Sequence, residues 1–207
     1  RALNRDERAV YEFPQNVLQL QKFFSEENKT AAVRAIPGEG VEIPIWILGS
    51  STDSAHLAAE LGLPYAFASH FAPRHLFEAL AIYKNNFKPS KQLADPYALA
   101  CINVIAAGTD EEAHYLARSY KKLIWGILTG KRQLLQAPDP NFILSAEQEM
   151  ILQQMSKFSF IGSQESIAKE LLHFVEKTEV NEIMTTSYIH DESLKLKSFS
   201  LLKEIQA

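Results

Sequence analysis

The sequence predicts an α/β protein with parallel strands, organised as about four strand–helix units. Three observations point there. Short apolar runs rich in β-branched and aromatic residues recur along the chain, as strands buried on both faces require. Segments with apolar residues at helical spacing lie between them. The joints carry Gly, Ser, Thr and Asp, the residues that cap and close helices. Four such units fit either a small doubly wound open sheet or half of an eight-stranded barrel. The pattern alone does not choose.

Taken in order, the stretch from Phe13 to Glu27 reads as a helix, with Phe13, Val17, Leu20 and Phe24 at helical spacing. A loop ending in Pro37-Gly38-Glu39-Gly40 follows. Ile43-Pro44-Ile45-Trp46-Ile47-Leu48 is the first strand, Pro44 being tolerable near a strand start. Gly49 to Ser54 is a turn, Ala55 to Leu61 a short helix, and Gly62 its stop. Tyr65 to Ser69 is the second strand. Pro73 opens a helix to about Phe87, with Phe77, Leu80 and Lys84 as its inward row. Tyr97 to Ala107 is the third strand. The long helix after Gly108-Thr109-Asp110 carries an apolar stripe at Ala113, Ala117, Tyr120, Ile124 and Ile127 and ends near Gly130. A less regular insert, roughly 131–160, contains a helix from Ser145. Gly162-Ser163 caps a helix through Ile167, Leu171, Phe174 and Val175 without directly following a clear strand. Glu182 to Tyr188 is the fourth strand, and a helix from Asp191 completes the chain. The whole of 1–207 reads as one domain. It opens on Arg1 and on a helix with no strand before it, which reads as a piece of a longer product.

Composition removes several classes of function. The 207 residues carry 21 basic and 25 acidic side chains, a net charge of -4, so no basic excess draws nucleic acid or an anionic membrane. One cysteine, Cys101, leaves no intrachain disulfide and fits a reducing cytoplasm. Inside an apolar strand it reads as a buried, inert thiol. No apolar run approaches the ~20 residues that span a bilayer. The sequence has no HExxH, GxSxG, GxGxxG or P-loop pattern, and no paired ligands for a metal. Trp46 and Trp125 read as core.

The strongest candidate site is Gly49-Ser50-Ser51-Thr52-Asp53-Ser54. Gly49 allows a tight turn between strand and helix. The free amides at the helix start carry partial positive charge and, with the hydroxyls of Ser50, Ser51 and Ser54, suit a phosphate. No lysine or arginine lies in the loop, so amides and hydroxyls would do the work. The same residues also make a plain helix cap. Gly108-Thr109-Asp110 and Gly162-Ser163 read as caps only. Ala68-Ser69-His70 ends the second strand, where α/β proteins place ligand-facing groups. His70 there suits donation to a ring carbonyl or proton carriage, against the simpler reading of a polar strand end. His190-Asp191 reads as an N-cap before the last helix.

Several of these segments resemble one family. Pro44 to Ser51, then AHLAAELGLP over 55–64 and YAFASHF over 65–71, look like the bacterial luciferase-like flavin monooxygenases. Phe160-Ile161-Gly162-Ser163 with its helix, EIMTTSY over 182–188, and the opening Arg1 to Asp6 agree. The resemblance implies the C-terminal half of a (β/α)8 TIM-type barrel binding reduced FMN at the carboxyl ends of its strands. It implies that Gly49, Ser50, Ser51 and Ser54 contact the flavin phosphate, and that Ala68, Ser69 and His70 lie beside the ring or substrate. Family members have about four further strands ahead of this segment, which supply other flavin contacts.

The implied activity is oxidation of a small organic substrate with reduced FMN and molecular oxygen, a flavin reductase being a possible supplier of electrons. A half barrel leaves strand edges that invite a second copy or the missing N-terminal half. A flavin- or deazaflavin-dependent reductase without oxygen use, and a non-catalytic flavin-binding fragment, are the alternatives.

Overall fold

The computed structural model describes residue 9 and residues 11–205. Arg1 to Asp6, part of the resemblance above, lie outside the described residues. The elements follow in the order α1 (Phe13–Phe24), β1 (Ile47–Gly49), α2 (Thr52–Leu61), β2 (Tyr65–Phe67), α3 (Leu76–Asn86), β3 (Ala98–Ala107), α4 (Asp110–Leu128), α5 (Ala146–Met155), β4 (Ser159–Ser163), α6 (Gln164–Thr178), β5 (Glu182–Thr186) and α7 (Glu192–Lys203). Two short 3-10 turns lie at Glu26–Thr30 and Pro73–His75.

All strand pairs are parallel. β1 pairs with β2, β2 with β3, and β3 with both β4 and β5. Backbone groups along β3 point alternately to its two edges. The Tyr97 carbonyl accepts from Tyr65 N, and Asn103 N donates to the Phe158 carbonyl, so β2 and β4 follow one another along the same edge. The Ala98 carbonyl accepts from Asn181 N on the other edge, where β5 lies. The sheet is therefore β1-β2-β3-β5, in chain order and without reversal, with β4 added beyond the end of β2. A doubly wound sheet would reverse its order at a switch point. The half-barrel expectation holds.

The extra strand β4 corrects the sequence reading, which left Ser159–Phe160 in the insert. Gly162-Ser163 does follow a strand directly. Its serines and glycine hid it, because β4 is held by pairing with Asn103–Ala107 of β3 and not by an apolar run.

Even-numbered residues of β3 (Ala98 to Ala106) join Ile47, Tyr65 and Phe67 in the main core, packed under α2, α3 and α6. The α6 stripe of Ile167, Leu171 and Phe174 lies in this core as its spacing predicts. Each contributes roughly 1.5–3 kcal/mol by burial. A second cluster joins Ile105 and Ala107 of β3 to Ala113, Leu116, Ala117 and Tyr120 of α4, with Ile189. Ile124 packs on its edge, while Ile127 is exposed.

Four further expectations are corrected. The first strand starts at Ile47, not Ile43: the Gln92 side-chain amide accepts from Ile45 N (3.4 Å) and donates to Ile45 O (3.1 Å), taking the place of a strand. Only Val17 of the α1 row is buried, and Phe13 and Leu20 face solvent. The inward row of α3 is Leu76, Ala79, Leu80 and Tyr83, because a 3-10 turn at Pro73–His75 shifts the helix phase; Phe77 is exposed. Trp46 is exposed, its ring at right angles to that of Tyr97, and Trp125 is half-buried.

Candidate functional site

β1 and β2 deliver their turns side by side: Ala68 N donates to the Gly49 carbonyl at 2.9 Å. The two candidate segments, Gly49–Ser54 and Ala68–His70, thus lie together at the carboxyl ends of adjacent strands. This is the end of a parallel sheet that gathers ligand sites.

The first turn is built from the inside. Ser54 donates to the Ser51 carbonyl at 2.7 Å. The Tyr65 hydroxyl, on fully buried Tyr65, lies 3.1 Å from Ser54 Oγ and 3.3 Å from the Ser51 carbonyl. Burial pushes the Tyr65 phenol up to about 12, so it stays a donor at any ordinary pH. Peptide planarity sets the Thr52 N–H opposite the Ser51 C=O. Tying that carbonyl inward therefore turns the Thr52 amide outward. The Ser54 hydroxyl is committed to this inner network, whereas the Ser51 side chain makes no cap bond to its helix.

The turns into α4, α6 and α7 differ, whereas the 3-10 turn and α3 that follow β2 also start without a side-chain cap. Thr109 accepts from Glu112 N at 3.1 Å, and Glu112 accepts from Gly108 N at 2.9 Å, closing the start of α4. At α6, Asp110 accepts from Ser163 N (2.6 Å) and from the Ser166 hydroxyl (3.1 Å). The Ser163 backbone N–H bond, then those of the Ser163 and Ser166 side chains, hold the Asp110 carboxyl below its usual range. A residue of the chain already serves as the anion there. At α7, Asp191 accepts from Leu194 N at 2.9 Å, as expected for an N-cap. Among the described residues, no side chain accepts from an amide of Ser50 to Ser54.

In the second segment Ala68 is buried, and Ser69 donates to the Cys101 carbonyl at 2.6 Å, pinning the end of β2 to β3. His70 is half-buried with its ring edge-on to Phe71, centroids 4.8 Å apart. Its Nδ1 is sealed from solvent and has no partner among the described residues. Desolvation lowers its pKa and keeps the imidazole neutral. Cys101 is buried with its thiol pushed up by desolvation, as its strand position predicts.

Leu48, Ala66, Leu99, Cys101 and Met184 share the sheet face opposite the main core and belong to neither apolar cluster. Leu48 is 66% and Met184 55% exposed. The sequence reading missed Asn103, next on this face and fully buried. The signal was there: one amide inside the ten-residue apolar strand ALACINVIAA. Among the described residues, no group of three or more His, Cys, Asp or Glu could hold a metal, and no helix is long and apolar enough to cross a membrane.

The model of the luciferase-like monooxygenase family matches residues 20–182. A luciferase-like monooxygenase of Escherichia coli (strain K12) is 39% identical over 196 residues, covering 94% of this chain and 58% of the relative. The N-acetyl-S-alkylcysteine monooxygenase of Bacillus subtilis (strain 168) is 27% identical over 207 residues, covering 94% and 60%. The crystal structure of apo-MsnO8 superposes with a TM-score of 0.82 at 23% identity, over 98% of this chain and 62% of that one. The chain thus spans about three fifths of the length of the relatives it matches.

Proposed function

The chain belongs to the luciferase-like monooxygenase family, and from that premise we propose that it forms the cofactor-binding half of a flavin-dependent monooxygenase. The cofactor is reduced FMN, the oxidant molecular oxygen and the substrate a small organic molecule. The observation that carries this reading is the uncapped start of α2, at the carboxyl end of β1, with no side chain of the described residues on its amides. A phosphate fits there on physical grounds: outward amides, a partial positive helix end and the unspent hydroxyls of Ser50 and Ser51.

In this reading Ser50, Ser51 and the amides of Thr52 and Asp53 hold the phosphate. Gly49 and Ser54 shape the turn. Ala68, Ser69 and His70 form the adjoining wall, with Ala68 and Ser69 buried behind it, Ser69 fixing the strand end, and half-buried His70 at its surface. His70, kept neutral by desolvation, can donate one hydrogen bond to a ring carbonyl or substrate oxygen without bringing charge. The flavin when bound supplies the redox chemistry with oxygen; the protein orients it and excludes water.

The test is flavin titration of the unaltered chain and of Ser51→Asp. Aspartate is a good N-cap, so the fold is kept, but its carboxylate would occupy the amides. FMN affinity is expected to fall at least about tenfold, from lost charge-assisted bonds, with riboflavin affinity unchanged. Equal FMN affinity in the variant removes the phosphate assignment. Failure of the unaltered chain to bind either flavin removes the cofactor reading.

A further inference from the structure

The two ring nitrogens of His70 have different surroundings. Nδ1 is sealed from solvent and has no partner among the described residues, whereas Nε2 is not closed off in this way. The residue is half-buried, and Nε2 is the nitrogen it shows to the outside. The ring is also held in place. Phe71 N (3.4 Å) and Ala72 N (3.2 Å) both donate to the Ala68 carbonyl, so His70 sits in a tight turn that closes β2. Ser69 is pinned beneath it to the Cys101 carbonyl at 2.6 Å. Ala68 N is bonded to the Gly49 carbonyl at 2.9 Å, which ties this turn to the one that opens α2. The ring stands edge-on to Phe71, centroids 4.8 Å apart.

These surroundings decide where the proton sits. A neutral imidazole carries one N–H and one lone pair. With the proton on Nδ1, a donor would be buried with nothing to accept it. A buried donor left bare is rarer in proteins than an under-used acceptor, and it carries its full desolvation penalty. With the proton on Nε2, the donor meets water or a ligand, and only a lone pair stays sealed. The choice has a chemical consequence. Such a ring shows the outside a donor and no acceptor. It can take up a further proton only at the sealed nitrogen, where the new N–H would again be bare. Donation to a carbonyl and proton carriage, the two roles that suit a histidine at this strand end, are thereby separated.

Resting on the cofactor reading above, we propose that His70 is a specificity-determining residue, fixed as the Nε2–H tautomer, that donates one hydrogen bond to a carbonyl oxygen of the flavin ring and carries no proton in the reaction. The ligand must present an oxygen acceptor to that nitrogen, because an N–H there would face another N–H. The contact fixes how the ring is turned and adds no charge beside it.

The experiment reads the ring nitrogens of the unaltered chain by NMR at neutral pH, the spectrum of His70→Gln assigning the signals. A neutral ring protonated on Nε2 is expected; a ring protonated on Nδ1, or a charged one, overturns the proposal. Riboflavin is then added. The Nε2 signal is expected to shift with the tautomer unchanged, and either no shift or a change of tautomer or charge overturns it. Riboflavin titration of two variants follows. His70→Leu removes the donor and is expected to lower affinity about three- to tenfold. His70→Gln returns an N–H close to the place of Nε2 and is expected to stay within about twofold of the unaltered chain. Unchanged affinity in His70→Leu overturns the proposal, as does an equal loss in both variants, which marks a contact of shape alone. If His70→Leu does not fold, the NMR outcomes on the unaltered chain decide. If riboflavin binds and only Ser51→Asp alters FMN binding, this inference fails and the cofactor reading stands. If the unaltered chain binds neither flavin, both fall.

Discussion

Ser54 occupies the space that a side chain at Gly49 would need: a Cβ added at Gly49 would run into Ser54 Oγ and Cβ. The strand end and the first helical turn are therefore in direct backbone-to-side-chain contact. Glycine is required here by close approach, not by a left-handed backbone.

Gly49→Ala is expected to destabilise the chain by about 1–3 kcal/mol, the usual penalty for overpacking. Ser54→Gly in the same chain should restore part of that loss by clearing the space, at the expense of the Ser54–Ser51 bond. Urea unfolding of the two single variants and the double variant gives the coupling. Strictly additive losses would contradict the contact.

Tyr65→Phe removes the hydroxyl that meets Ser54 and the Ser51 carbonyl. A loss of about 1 kcal/mol is expected at neutral pH. The alkaline side adds a second readout. Tyr65 has a folded value of about 12, above the ordinary phenol near 10. The unfolded chain loses that proton first, so stability is flat below about pH 10 and falls between there and about pH 12. Chemical unfolding followed against pH should show this fall reduced in Tyr65→Phe.

His70 behaves in the opposite sense. Desolvation lowers its folded value, so the unfolded chain takes up a proton first as pH drops. Stability is fully present above about pH 6.5 and declines as pH falls through the lowered value. His70→Gln should abolish this component. An identical acid profile in the variant would show that His70 contributes nothing to it.

Asp110→Ala leaves the start of α6 without the carboxylate that Ser163 N and Ser166 bond. The melting midpoint is expected to drop at neutral pH. Because the Asp110 value is lowered, chiefly by the Ser163 backbone bond, its contribution is present above the usual carboxylate range and disappears as pH falls below it. The difference between parent and variant should therefore shrink in acid. A constant difference would mean that the carboxylate charge plays no part.

The alternation of strands and helices was legible from residues 43–207 because buried strands and amphipathic helices need different apolar periods. The α6 stripe, the Gly62 stop, and the caps at Thr109, Ser145, Ser163 and Asp191 all stand where local chemistry puts them. These are short-range effects, decided within a turn or two of chain. The family resemblance drew on the same segments.

What local pattern did not contain was set by partners far away in sequence. β4 exists because β3 has an unfilled edge beyond β2. Ile45 is kept out of β1 by Gln92, 47 residues on. Serine is serine in either loop. Only the tertiary structure shows Asp110 reaching across to close the α6 turn while Tyr65 and Ser54 hold the α2 turn from beneath and leave its amides outward. By itself the sequence determined which elements form and where their caps lie, since those energies are local. Which turn stays open, and which ring nitrogen of His70 is sealed, was decided by three-dimensional packing, because a hydrogen bond counts only distance in space.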